Sequence, residues 1–88
     1  MHTLAHLKES SRVRTLGVVD GYIRPRWGTT ALSAITHAEV QRWVSGLSGT
    51  LSPRSVRLVH GTFRQLLAWA VRDSRLTRNP AEDIRLPR

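Results

Sequence analysis

Between Ser52 and Arg72 an apolar residue recurs every three or four positions, and this stretch limits what the chain can fold into. Val56, Val59, Phe63, Leu66, Leu67 and Ala70 follow i, i+3, i+4 and i+7 spacing, which predicts one long amphipathic helix. Ser52-Pro53 opens it. A serine hydroxyl can accept from the free amides of the first turn, and a proline there lacks only an amide that would have had no partner. The other side of the same helix carries Arg54, Arg57, Gly61, Arg64, Gln65 and Arg72.

The remainder reads as shorter helical pieces. Ser10 or Ser11 offers a cap for a first helix to about Arg24, with Val13, Leu16, Val19 or Asp20, and Ile23 on its apolar side. Gly17 and Gly21 weaken that helix, and Pro25 is expected to stop it. A connector from Pro25 to Ile35 leads to Thr36-His37-Ala38-Glu39, a capping box in which Thr36 accepts from the Glu39 amide and Glu39 reaches back. It predicts a second helix to about Leu47, with Val40, Trp43, Val44 and Leu47 on one face, broken by Ser48-Gly49-Thr50. Asn79-Pro80, with Glu82 following, repeats the cap-plus-proline device and predicts a short fourth helix ended by Pro87. With no alternating strand pattern and no repeat, the expectation is a compact all-α fold of four helices. Trp27, Trp43 and Trp69 read as packing anchors, with Trp69 closest to the boundary of the exposed face, Tyr22 as core or core edge, and His60 as half-buried.

Eighty-eight residues allow one small domain. Its expected limits are residues 10–84, after a flexible N-terminal segment 1–9 and before a basic tail, 85–88. A hydrophobic content of 40% suits a folded unit. Absence of cysteine removes disulfides and thiolate metal sites and suits the cytoplasm. No apolar run reaches membrane-spanning length, so no membrane partner is expected. The charge balance is more telling. Fourteen basic residues against six acidic give +8, and all the bases but Lys8 are arginine. Arginine presents a planar fork suited to phosphates and guanine edges, so nucleic acid is the first partner to consider. A merely solvated surface, or a genome that favours arginine codons, is the competing reading.

Little in the chain suggests catalysis or a cofactor. His2 and His6 are four apart but have no strong third ligand near them. Tyr22, the only tyrosine, lacks a neighbouring base and a cluster of cations. His60 and Arg64 lie on a helix at a spacing unlike a phosphoryl-transfer pair. Gly61, which costs about 1 kcal/mol relative to alanine in a helix, admits two readings. Either it lets a phosphate or base edge approach the backbone, or it relieves crowding against another helix. Leu58, off the apolar stripe, can touch a thymine methyl or pack on the connector.

These residues, in this order, resemble the N-terminal core-binding, SAM-like domain of phage-type integrases, the tyrosine recombinases. The resemblance runs from about Lys8 to Arg88. It is carried by Ile23-Arg24-Pro25-Arg26-Trp27-Gly28, Ile35-Thr36-His37-Ala38-Glu39-Val40, Leu51-Ser52-Pro53-Arg54-Ser55-Val56, Leu67-Ala68-Trp69-Ala70-Val71-Arg72 and Asn79-Pro80-Ala81. It implies one half of a C-shaped clamp around double-stranded DNA. A C-terminal catalytic domain of the same parent chain would form the other half, with further recombinase protomers on the DNA. The DNA-facing residues it implicates are Ser11, Arg12, Arg14 and Thr15, then Arg54, Ser55, Arg57, Leu58, Gly61 and Arg64. Arg85 and Arg88 would begin the interdomain linker. The family's catalytic residues belong to the other domain and have no counterpart here, so the chain is expected to bind without cutting. Gly17, Asp20 and Gly21 depart from the family pattern and leave the register of the first helix least secure. Two rivals remain: a stand-alone helical DNA-binding regulator, and a helical domain that docks an acidic protein.

Overall fold

The computed structural model describes residues 12–87, and these form three helices packed on one core, with no strand among them. Helix α1 occupies residues 12–27, α2 spans His37–Leu47 and α3 spans Pro53–Arg72. A single 3-10 turn, Leu32–Ala34, interrupts the connector between α1 and α2.

Helix α1 runs past the proline expected to stop it. Residues 12–18 are α-helical, Val19–Ile23 form a π-helical turn, and α-helix resumes over Arg24–Trp27. Within the wide turn the Arg24 amide donates to the Val19 carbonyl, five residues back. Pro25 therefore sits in the first turn of a fresh α-helical segment, where its missing amide leaves no bond unmade. The extra residue also rephases the helix. Val18, Ile23 and Trp27 point into the core, at spacings of five and four. Val13 and Leu16, expected on the buried side, are 69% and 53% exposed. A regular 3.6-residue period cannot anticipate such a shift.

Helix α1 ends at Gly28, where a side chain is excluded by close approach. A Cβ there would lie 2.6 Å from the Arg24 carbonyl oxygen. Helix α2 begins as expected on Thr36, whose hydroxyl accepts from the Glu39 amide at 3.2 Å. The Glu39 carboxylate pairs instead with Arg26 at 3.5 Å, tying the start of α2 to the end of α1. Ser52 caps α3 by accepting from the Ser55 amide at 3.2 Å.

Helix α3 ends in a Schellman motif. The Arg75 amide donates to the Ala70 carbonyl at 2.8 Å and the Ser74 amide to that of Val71 at 3.0 Å. Ser74 takes the left-handed conformation, φ 60°, where glycine is usual. The expected fourth helix is only a turn. Asn79 Oδ1 accepts from the Ala81 amide at 2.9 Å, so the cap is real, but no helix follows it. Asp83, at φ 56°, turns the chain out of helical geometry. Residues 84–87 then run without regular structure over α2 and α3, with Ile84 and Leu86 packed on the core.

The core is organised by three aromatic rings, one from each helix. Trp27 stacks on Phe63 with centroids 5.3 Å apart, and Trp43 meets both edge-on at 5.8 and 5.1 Å. Such pairs add about 0.5–1.5 kcal/mol beyond the area they bury. Val40, Val44, Val56, Val59 and Leu67 fill the space around them. Trp69, expected as an anchor, is 50% exposed, and Tyr22 is exposed rather than core. Phe63→Ala is expected to cost about 3–5 kcal/mol in urea unfolding, the range for emptying a buried aromatic site. Trp69→Ala is expected to cost less than about 1 kcal/mol in the same measurement.

Candidate nucleic-acid interface

Burying one side of α3 determines what its other side presents. Val56, Val59, His60, Phe63, Leu67 and Ala70 face the core. At about 100° per residue, Arg54, Leu58, Gly61, Gln65, Trp69 and Arg72 then fall on the opposite side. Arg54, Leu58, Gln65, Trp69 and Arg72 are exposed, Leu58 by 44%. The helix is 20 residues long, and about 27 Å separates Arg54 from Arg72 along its axis at 1.5 Å per residue.

No acid of the described residues forms an ion pair with an arginine of this face. Asp20 pairs with Arg24 at 3.2 Å, Glu39 with Arg26 and Glu82 with Arg64. Among the described residues neither Arg54 nor Arg72 is in an ion pair. Ser55 hydrogen-bonds to Ser52, Oγ to Oγ at 3.1 Å, and so belongs to the cap of α3.

Between α1 and α3 runs an open groove of about 370 Å³, lined by Thr15, Arg57, Leu58, Gly61, Thr62, Gln65, Leu66 and Trp69. It joins Thr15 of the first candidate set to Arg57, Leu58 and Gly61 of the second. For Gly61 and Leu58, the packing alternatives left open by the sequence find no support among the described residues. A Cβ built on Gly61 would meet nothing within 4 Å among the described residues, so no helix of these demands a glycine there. Leu58 lines this groove, whose walls include no connector residue.

The opposite flank of α3 is occupied. Residues 81–87 lie across α2 and α3 as a strap whose alternate carbonyls meet side-chain donors. His60 Nε2 donates to the Ala81 carbonyl at 2.8 Å, and His37 Nε2 to that of Asp83 at 3.2 Å. Gln41 Nε2 donates to the Arg85 carbonyl at 3.1 Å while its Oε1 accepts from the Arg85 amide at 2.8 Å. Arg57 donates to the Pro87 carbonyl at 3.0 Å. Arg64 pairs with Glu82 at 3.3 Å, and its own carbonyl accepts from Asn79 Nδ2 at 3.0 Å. His60, expected as half-buried, is 7% exposed and closes this strap from beneath.

The candidate residues therefore fall into separate groups. Arg54, Leu58 and Gly61 share the open face of α3, and Thr15 meets it from α1. Arg12 and Arg14 are exposed on the first turns of the described part of α1. Arg57 lines the groove but, like Arg64 on the strap side, has a partner in the strap. Arg85, read as the start of a linker, is held at its backbone by Gln41. Ser11 and Arg88 lie outside the described residues, as does the cap expected from Ser10 or Ser11. Trp69 and Gln65 belong to the open face but were not among the candidates. The signal for Trp69 was available, because at i+11 from Leu58 it falls on the same side of the helix.

No family model matches the chain, and no curated protein or solved structure matches it significantly. Helices long and apolar enough to cross a membrane are absent among the described residues.

Because Gly61 faces open space, Gly61→Ala is expected to stabilise α3 by about 1 kcal/mol. Urea unfolding of the variant beside the parent chain checks this, and destabilisation would mean that a neighbour does crowd Gly61.

Proposed function

We propose that this chain is the DNA-binding module of a phage-type tyrosine recombinase, gripping duplex DNA at the core site while a separate C-terminal domain performs strand cleavage. The observation that carries the reading is the open face of α3. It is about 30 Å long, bears arginines at both ends and meets no carboxylate of the described residues. Arg54 and Arg72 suit phosphates, Leu58 suits a thymine methyl, and Gly61 admits a close approach of the backbone. The overall charge of +8 supplies long-range attraction to a polyanion. The SAM-like core-binding arrangement belongs to this proposal, with its fourth helix reduced to the turn at Asn79. So do cytoplasmic action, in a bacterium or during phage infection, and assembly with other protomers on DNA. The module binds and positions. The chemistry would lie with the other domain, since the recombinase nucleophile and its cations have no counterpart in this sequence.

A second reading has its own support. Leu58 and Trp69 are large, apolar and exposed beside a groove, which also suits an acidic amphipathic partner helix. Salt dependence separates the two. Each phosphate engaged contributes about 0.9 to the log–log slope of affinity against salt, and a duplex held by several arginines gives a steep slope.

Arg54→Ala with Arg72→Ala is expected to weaken binding to a random-sequence duplex at low salt. The salt slope should fall by about 0.9 for each phosphate no longer engaged, with the amide spectrum otherwise preserved. Fluorescence anisotropy over a salt series measures both. An unchanged affinity and slope would remove the open face of α3 from the interface and favour the acidic-partner reading.

A further inference from the structure

The strap and the open face share α3, and they compete for its cations. Among the described residues, Arg54 and Arg72 of α3 have no ion-pair partner, whereas Arg57 and Arg64 are held by the Pro87 carbonyl and by Glu82. Neither tie is strong. The Arg57 bond ends on a neutral carbonyl, and a phosphate oxygen in its place would add the attraction of opposite charges. The Arg64 pair with Glu82 is about half exposed, and exposed pairs of this kind add little stability. A polyanion lying along α3 can therefore displace the strap from both guanidinium groups.

The two ends of the strap are not anchored alike. Ala81 is fully buried, with its carbonyl on His60. Beyond it the hold passes to His37, then to the paired bonds of Gln41, and ends at Arg57. Losing Arg57 and Arg64 would loosen the strap from its C-terminal end while leaving Ala81 in place.

We propose that residues 82–87 are a latch that closes over Arg57 and Arg64, and that phosphates of a bound duplex take these two arginines and release its C-terminal end. The inference rests on the duplex-binding reading of α3 and adds its regulation. DNA binding would thereby free the segment that leads onward from the domain, so a following domain would gain freedom only once the duplex is engaged. By linkage the coupling is reciprocal, and whatever loosens the latch must tighten the duplex.

The test uses the whole chain and a short random-sequence duplex at low salt. Gln41→Ala removes both Arg85 backbone bonds, and Gln41 lies on α2, outside the proposed DNA face. It is expected to tighten binding roughly fivefold, the low end of typical coupling factors. Because that variant can disturb the fold, Glu82→Gln is measured beside it, with Asp20→Asn as a control of equal charge change. Glu82→Gln should tighten binding more than Asp20→Asn, since only the former frees Arg64. In the parent chain, the amides of Ile84, Arg85 and Leu86 should move toward disordered shifts as duplex is added. The latch is overturned if the duplex shifts the amides of α3 while those of residues 84–86 stay fixed and both variants bind no better than their references. In that case the DNA reading stands alone. No binding even at low salt would overturn both.

Discussion

Trp27, Phe63 and Trp43 hold the molecule together, and the other features are arranged around their contact. One ring comes from each helix, so the three centroids, 5.1–5.8 Å apart, set the mutual placement of α1, α2 and α3. The local irregularities serve the same point. The π turn at Val19–Ile23 inserts one residue into α1 and brings Val18, Ile23 and Trp27 onto one side. Gly28 then lets the chain leave the helix directly after the tryptophan, against the Arg24 carbonyl. Arg26 lies 4.0 Å over the Trp27 ring and reaches Glu39, coupling the aromatic cluster to the first turn of α2. The cost is a buried Trp27 Nε1–H without an acceptor among the described residues.

Once Phe63 is committed to this cluster, the orientation of α3 about its own axis is settled, and with it the role of every residue along the helix. The side directly opposite the core is open and carries Arg54, Leu58, Gly61, Gln65 and Arg72. One flank, with Thr62 and Leu66, faces α1 across the groove. The other flank, with Arg57 and Arg64, faces the strap. Arginines that look equivalent as letters thus differ in availability, since some face solvent and others already have an acceptor. A small domain with few acids gains structural use from its surplus bases by pairing them with its own carbonyls as well as with carboxylates.

The strap illustrates how a short chain finishes its core. Ile84 and Leu86 extend the apolar cluster, and Ala81 seals it above His60. An irregular backbone laid across two helices has no helical or ladder partner for its polar groups, and buried polar groups need one. His60, His37, Gln41 and Arg57 supply donors to the carbonyls of residues 81, 83, 85 and 87. The two histidines, which as letters suggested nothing more than a partly buried ring and a capping segment, are structural donors to this segment.

Whatever depends on residues three or four apart was legible in the sequence. The extent of α3, its cap at Ser52, the start of α2 at Thr36 and the buried stripe of Val56, Val59, Phe63, Leu67 and Ala70 all follow from helical period and capping chemistry. The all-α class and the capping role of Asn79 were readable in the same way, although the helix expected after that cap is only a turn and His60, expected as half-buried, is buried. What could not be read were features that depend on residues distant in sequence. The register of α1 turns on one extra residue in a π turn, which is tolerated because Trp27 must reach Phe63, 36 positions later. The expected fourth helix is a turn followed by an irregular strap whose backbone is bonded by His37, Gln41 and Arg57, 30 to 46 residues away. Sequence by itself determined which side of the long helix is buried and that its other side is basic. Only the tertiary structure decided which of those arginines are available, because that depends on the acceptors that folding brings within their reach.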